Sequence, residues 1–277
     1  MKRADIIVIS GQSNAVGCSE VGCLDRHFPA PRIETWREGY ENIKINYYSH
    51  NKKSGGFVKT AFHCTALDED TFGPEIGISE ALCEAYPGAE FFIVKCAFGG
   101  VTLDRDFLSP SGGAGYDPRA TAGENGSSAP GGCYNELVGI LSESIRILEN
   151  EGRDPKIRAF FWMQGESDAN DEEATARYEK NYGAFLQDLK SRFAPYVSGC
   201  VFVDAGISTV WERYERVNAI KRKFAEEHGD CVFIDTIAAG LTTVNEPFGA
   251  PDIGHYDSDS MIKLGRLFAD RFLSFKS

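Results

Sequence analysis

The sequence predicts an α/β protein, a three-layer sandwich with a central, mostly parallel sheet of five strands. Five short runs are apolar throughout, which is typical of strands covered on both faces. Amphipathic helical patterns lie between these runs, and such alternation predicts parallel strands joined by right-handed crossovers. No linker separates two cores. We therefore expect one domain over residues 1–277, with long loop insertions near 18–72 and 104–133.

The predicted elements follow one another along the chain. The strands are predicted at residues 5–10, 90–95, 157–163, 200–204 and 231–235. Apolar residues recur at helical spacing over 137–148, 178–193 and 261–272. In open parallel sheets, ligands bind beyond the carboxyl ends of the strands. The residues that directly follow each strand are therefore the candidates for chemistry.

Composition and charge exclude several classes of protein. The chain is 42% hydrophobic and 25% charged, as in ordinary globular proteins, and its formal net charge of −12 argues against a nucleic-acid partner. It lacks a run of ~20 apolar residues, so no membrane partner is expected. No signal peptide is recognisable, so we expect a cytoplasmic protein, with secretion after removal of a leader as the alternative. The eight cysteines form no Cys-x-x-Cys pair, which predicts buried free thiols rather than zinc ligands.

The first strand ends in Gly11-Gln12-Ser13-Asn14. Gly11 permits a tight turn, and a helix that begins near Ser13 would leave backbone N–H groups free. A serine at this point suits nucleophilic attack and oxyanion stabilisation. The alternative is that Ser13 or Asn14 only caps a helix.

The second and third strands also end in residues suited to chemistry. Gly99-Gly100 lets the backbone approach a ligand and offer an N–H to an oxyanion, although a plain turn is the alternative. The third strand ends in Gln164-Gly165-Glu166. The Gln164 amide could donate to an oxyanion and Glu166 could orient a base, whereas capping of the following acidic segment is the alternative.

A histidine and a carboxylate lie close together just before the last predicted helix. Asp252 and His255 are three residues apart, so one turn of a loop can bring the carboxylate to the imidazole and fix its tautomer. Capping of the helix by the neighbouring polar residues is the alternative. The other histidines have no such carboxylate and are interpreted as ordinary surface or loop residues; these are His27, His50, His63 and His228.

These blocks resemble those of the SGNH hydrolases, in the branch of sialate O-acetylesterases and acetylxylan esterases. The matching stretches cover most of the chain; they are "GQSN" at 11–14, "FGPE" at 72–75, "KCAFGG" at 95–100, "QGESD" at 164–168 and "DIGH" at 252–255. The resemblance implies a flavodoxin-like fold. One departure is Val101, where relatives often have Thr or Ser after the paired glycines.

The resemblance also implies roles for particular residues. It makes Ser13 the nucleophile and His255 the general base, and it leaves open whether Asp252 or Glu166 is the acidic partner of His255. The oxyanion hole would consist of three donors, which are the N–H groups of Ser13 and Gly100 and the side chain of Gln164.

Gln12 and Asn14 are expected to contact the substrate, and the implied mechanism needs no metal or cofactor. The predicted function is that of a serine esterase that removes O-acetyl groups from carbohydrates of the acetylxylan or sialic acid type. The partner would be a small-molecule or oligosaccharide acetyl ester. Two alternatives are an esterase or thioesterase acting on other substrates, and a non-catalytic carbohydrate-binding protein on the same fold. The sequence does not predict an oligomeric state.

Overall fold

A computed structural model of the chain describes residues 1–50, 52–62, 70–123 and 129–276. Its strands are β1 (Lys2–Gly11), β2 (Ser19–Glu20), β3 (Tyr40–Ser49), β4 (Lys52–Lys53), β5 (Val58–Thr60), β6 (Thr71–Phe72), β7 (Phe91–Ala97), β8 (Arg153–Met163), β9 (Val201–Ala205) and β10 (Cys231–Ile234). The α-helices are α1 (Ser13–Val16), α2 (Ala30–Glu38), α3 (Glu75–Ala85), α4 (Gly132–Asn150), α5 (Glu166–Ala169), α6 (Glu172–Arg192), α7 (Tyr214–Glu227) and α8 (Ser258–Lys276).

The main sheet has the strand order β10-β9-β8-β1-β7-β3-β4, and β5 also pairs with β3. The pairs from β10 across to β3 are all parallel, whereas β4 and β5 run antiparallel to β3. The predicted α/β class with a mostly parallel sheet is therefore confirmed, and all five predicted strands lie in it. The predicted number of five strands is too small, because the sheet continues beyond β7.

The additional strands come from the segment 18–72, which we expected to be a loop insertion. That segment instead contains β2 to β6, α2 and a short 3₁₀ helix, Val21–Arg26. Strand β3 was missed because polar residues interrupt its apolar ones. It buries Ile43 and Ile45 fully, yet it also buries Asn46, whose side chain donates a hydrogen bond to Ser144.

The second expected loop insertion lies near 104–133, of which residues 124–128 are outside the described part of the chain. Between β7 and α4, the described residues form turns and no helix or strand. Buried apolar side chains form one cluster that extends from Ala4 to Phe272, so β1 to α8 share a core. In the described ranges, no helix has both the length and the apolar character needed to cross a membrane.

The thiols agree with the sequence prediction. Seven cysteines fall in the described residues and all are free, and five of them are buried. Cys64 lies outside the described residues, as does His63.

Candidate active site

The register of the sheet aligns the carboxyl ends of four strands. Gly11 at the end of β1 pairs with Met163 of β8 and with Ala97 of β7. Ala97 in turn pairs with Ser49 of β3. The chain segments that follow these four strands therefore emerge side by side at one edge of the sheet, where the fold places ligands.

Close packing at the end of β1 explains why residue 11 is glycine. Gly11 has φ of +142°, and a Cβ at this position would lie 1.9 Å from the carbonyl oxygen of Met163. The Gln12 N–H donates to the same oxygen at 2.9 Å. The strand can therefore turn sharply against β8, and Ser13 becomes the first residue of α1.

Two backbone N–H groups are available near Ser13. Helix α1 leaves its first amides unpaired, and among the described residues the N–H of Ser13 donates to no carbonyl. The same holds for Gly100, which has φ of +69° and has no atom within 4 Å of the position of a Cβ, so that this side of the residue is open. Both amides are available as donors, and their role as oxyanion donors stays a prediction from the sequence.

The histidine prediction identified a hydrogen-bonded pair. His255 Nδ1 lies 2.6 Å from Asp252 Oδ2, which fixes the tautomer that leaves Nε2 as the acceptor. The His255 side chain is one-quarter exposed and that of Asp252 is 56% exposed. The carboxylate hydrogen-bonded to His255 is therefore that of Asp252 and not that of Glu166.

Asn14 connects the turn that carries Ser13 to the loop that carries His255. Its Oδ1 accepts the N–H of Tyr256 at 3.0 Å, and its Nδ2 donates to the carbonyl of Gly254 at 3.3 Å. Nδ2 also donates to Glu166 Oε1 at 2.9 Å. Asn14 is buried and all these partners belong to the protein, so contact of its side chain with substrate stays a prediction from the sequence.

Glu166 lies beneath this connection and is completely buried. Its burial raises its pKa, while the hydrogen bond from Asn14 and the charges of Lys221 and His255 act in the opposite direction. Its Oε2 has no hydrogen-bond partner among the described residues. Glu166 is thus placed to hold Asn14 and to act on His255 through space.

Gln12 is buried as well, and its side chain is bound to the start of α5. Gln12 Oε1 accepts from the N–H of Ser167 at 3.1 Å, and Gln12 Nε2 donates to Ser167 Oγ at 3.3 Å. These bonds hold the Gln12 side chain in the structure, and its contact with substrate stays a prediction from the sequence. The Gln12 amide oxygen accepts an N–H group at the start of α5 that has no partner within that helix.

Gln164 has no spare donor in this structure. Its Nε2 lies 2.5 Å from Asp168 Oδ2, 3.2 Å from the Val101 carbonyl and 3.4 Å from Gln12 Oε1. An amide nitrogen has two N–H groups, so these acceptors occupy both. The side chain is fully buried, and it reaches an oxyanion only by giving up one of these bonds.

Asp168 fixes the segment that follows the paired glycines. Its carboxylate accepts the N–H groups of Leu103 at 2.9 Å and Asp104 at 3.1 Å, besides the bond from Gln164. Burial raises the pKa of Asp168 to about 6, although these hydrogen bonds lower it. This residue belongs to the "QGESD" block, and the structure explains its position there.

A buried ion pair, for which the sequence indicated no role, supports α1. Lys95 is fully buried; its Nζ donates to Glu75 Oε2 at 2.6 Å and to the Val16 carbonyl at 2.8 Å. Glu75 Oε1 accepts the N–H of Gly73 at 3.1 Å. The "FGPE" and "KCAFGG" blocks therefore meet at the carboxyl end of the helix that begins with Ser13.

A second buried cation was missed because it lies in an ordinary-looking helix pattern. Lys221 of α7 donates to Asp204 Oδ1 at 2.8 Å and to the carbonyl oxygens of Ala205 and Gln164. Burial raises the pKa of Asp204 to about 6, and Lys221 opposes this shift. Lys221 also supplies positive charge near Glu166. No sequence signal distinguishes it from a surface lysine.

A small open pocket borders the Asp252–His255 pair. It encloses about 150 Å³ and is lined by Cys18, Ser19, Glu20, Glu246, Pro247, Ala250, Asp252, His255 and Tyr256. Ser19 Oγ donates to the Tyr256 carbonyl at 2.6 Å, which ties the histidine loop to β2. The pocket walls are largely polar, so they can form hydrogen bonds with a hydroxylated ligand.

Comparisons with solved structures show the same fold. A protein from Arabidopsis thaliana is 17% identical with a TM-score of 0.68, and 98% of each chain is covered. NanS is 18% identical with a TM-score of 0.68, covering 99% of this chain and 98% of the other. A carbohydrate acetylesterase from Xanthomonas citri is 13% identical with a TM-score of 0.60, covering 99% of this chain and 57% of the other.

No curated protein sequence matches the chain significantly. A family model does match, and its description is "Carbohydrate esterase, sialic acid-specific acetylesterase". It covers residues 3–274, which is almost the whole chain and includes every block considered above. The predicted carbohydrate O-acetylesterase is thereby confirmed at the level of the family. The chain belongs to the carbohydrate esterase family of sialic acid-specific acetylesterases.

Proposed function

We propose that the protein hydrolyses O-acetyl esters of sugars through an acyl-enzyme on Ser13. The observation that carries this proposal is the connection made by Asn14, which joins the turn of Ser13 to both neighbours of His255. On this proposal the nucleophile, the base oriented by its carboxylate and the two unpaired amides act on the same ester. This is the set of groups that acyl transfer from an ester requires.

In the first step, His255 Nε2 takes the proton of the Ser13 hydroxyl as Ser13 Oγ attacks the ester carbonyl. The developing oxyanion is stabilised by the N–H groups of Ser13 and Gly100. Asp252 stabilises the imidazolium through its bond to Nδ1 and keeps the ring oriented. The imidazolium then protonates the sugar oxygen as its bond to the acetyl carbon breaks, which releases the sugar and leaves the acetyl group on Ser13.

In the second step, His255 removes a proton from water, which attacks the acetyl carbonyl. The same two amides stabilise the second oxyanion, and collapse of the intermediate releases acetate and returns the proton to Ser13. Gln164 as a third oxyanion donor stays a prediction from the sequence. In the structure as described, the Gln164 amide instead holds the Val101 carbonyl, next to Gly100.

We propose an O-acetylated sialic acid as the substrate rather than acetylated xylan. The description of the family supports this choice. The free thiols of the described residues support the cytoplasmic location expected from the sequence, since disulfides are rare in reducing compartments.

The test compares Ser13→Ala with the parent protein on O-acetylated sialic acids and acetylated xylo-oligosaccharides. We expect Ser13→Ala to lose acetate release on all esters with an unchanged melting temperature. Ser111→Ala is the matched control, because the Ser111 hydroxyl donates only to Asp188 on the exposed surface. Parent-level acetate release by Ser13→Ala would refute the mechanism, and faster turnover of the xylo-oligosaccharides would refute the substrate assignment.

A further inference from the structure

A second histidine lies at the same edge of the sheet as the catalytic groups. His50 directly follows β3, and its N–H donates to the carbonyl of Ala97 at the end of β7 at 3.2 Å. Among the described residues it is the one non-glycine residue with a positive φ, at 48°. Such backbone conformations are costly for most side chains, and they are concentrated at functional sites.

The imidazole of His50 reaches the space in front of Ser13. A Cβ built on Gly99 would lie 2.9 Å from Cε1 and 3.0 Å from Nε2 of His50. The same point lies 3.8 Å from the Cβ of Ser13. The His50 ring and the Ser13 side chain therefore flank one point in space, and residue 99 must be glycine for the ring to stand there.

The ring is half-buried and forms no hydrogen bond with a described residue. Burial lowers its pKa, so the imidazole is neutral at neutral pH and has one N–H donor and one acceptor nitrogen. Within the described residues no carboxylate orients it as Asp252 orients His255, so it lacks there the arrangement of a general base for Ser13. It has the properties of a group that forms hydrogen bonds with a bound ligand.

A purely structural role does not require an imidazole at this position. The bond to Ala97 uses the backbone N–H of residue 50, which any residue except proline supplies. Glycine or asparagine would adopt the positive φ more readily. What the histidine adds over these residues is its half-buried imidazole beside Gly99 and Ser13.

We propose that His50 is a substrate-binding residue that determines specificity, its imidazole forming a hydrogen bond with a sugar hydroxyl next to the acetyl ester held at Ser13. The proposal rests on the proposed function, because it needs a sugar ester at Ser13. An acetyl ester whose alcohol carries no hydroxyl group gains nothing from this hydrogen bond. His50 therefore favours sugar esters over simple acetyl esters.

The experiment measures kcat/KM for an O-acetylated sialic acid and for 4-nitrophenyl acetate in the parent, His50→Asn and His50→Gly. Both variants are compatible with a positive φ, so they retain the fold, which melting temperatures verify. We expect the ratio of the two kcat/KM values to fall about ten-fold, mainly through KM for the sugar ester. His228→Asn is the control, because that ring stacks on Phe224 at the end of α7.

A second variant displaces the ring without removing it. Gly99→Ala places a methyl group 2.9 Å from His50 Cε1, so the imidazole must move away. We expect Gly99→Ala alone to lower the ratio of kcat/KM for the sugar ester to that for 4-nitrophenyl acetate. In a protein that already carries His50→Asn, Gly99→Ala should lower this ratio much less, since the effects of substitutions at contacting residues are not additive.

The outcomes separate this proposal from the proposed function. If the ratio is unchanged in both folded His50 variants while the parent turns over the sugar ester normally, the role of His50 is overturned. The Ser13 mechanism is then unaffected. No turnover of any sugar ester by the parent overturns both proposals. A lowered ratio that His228→Asn reproduces would also overturn the role of His50.

Discussion

The connection made by Asn14 gives the most specific prediction of the structure. Replacement by alanine in Asn14→Ala removes three hydrogen bonds, to the Tyr256 N–H, the Gly254 carbonyl and Glu166 Oε1. The Tyr256 and Glu166 partners are buried. Since Glu166 Oε2 already lacks a partner among the described residues, the variant leaves the whole Glu166 carboxyl without a side-chain donor.

The expected loss of stability follows from these contacts. A buried polar group left without a partner costs about 1–3 kcal/mol, so the two buried partners together cost about 2–6 kcal/mol. The Gly254 carbonyl adds less, because its bond is longer at 3.3 Å and the residue is only half-buried. For a protein of this size the melting temperature should fall by at least about 4 °C.

The expected loss of activity is larger, because Asn14 holds the residues on both sides of His255. A misplacement of the base by about 1 Å costs on the order of 10² in rate. We therefore expect kcat of Asn14→Ala on 4-nitrophenyl acetate to fall about 100-fold at a temperature where the variant remains folded. Asn42→Ala is the matched control, since Asn42 lies near the start of β3, at the edge of the sheet opposite to the site, and donates to the Ala89 carbonyl just before β7.

If Asn14→Ala keeps kcat within two-fold of the parent while its melting temperature falls as expected, Asn14 stabilises the fold and does not position His255. If neither quantity changes, the described hydrogen bonds are not formed in solution.

Two further predictions concern carboxylates of the site. Asp252→Asn should lower kcat by several hundred-fold, because it removes the charge that orients His255. Glu166→Gln should lower kcat by less than ten-fold. Steady-state rates measure both effects, and a larger loss in Glu166→Gln would make Glu166 the acidic partner. Asp168→Asn should change how stability depends on pH. Burial raises the pKa of Asp168 to about 6, so the folded protein binds this proton more tightly than the unfolded chain does. The free energy of unfolding of the parent should therefore fall as the pH rises from about 4 to about 6, relative to that of Asp168→Asn. Denaturant titrations of both proteins across that range measure this difference, and parallel curves would contradict it.

The sequence predicts the central strands well, because their apolar runs are unbroken. Residues 6–9 of β1 are buried on both faces, and this covering is what their composition indicated. Strand β3 shows the limit of that signal. Asn46 of this strand is buried because its side-chain amide donates a hydrogen bond to Ser144 of α4. A search for apolar runs does not recognise a strand that contains such a buried polar residue.

The residues of the candidate site could also be predicted only in part. The sequence found the residues directly after β1, β7 and β8 and the Asp252–His255 pair, because the order of parallel strands and a short loop bring them together. It assigned Gln12 and Asn14 to substrate, whereas tertiary contacts hold both inside the protein. It treated His50 as an ordinary residue, since β3 was not recognised and its position beside Gly99 depends on the pairing of β3 with β7.

Labelling with a fluorophosphonate probe measures whether Ser13 forms a covalent intermediate. We expect one adduct per chain, found by peptide mapping on Ser13, and slower labelling of His255→Ala because the base is missing. A protein that stays unlabelled, or an adduct on another residue with Ser13 unmodified, would overturn the proposed mechanism.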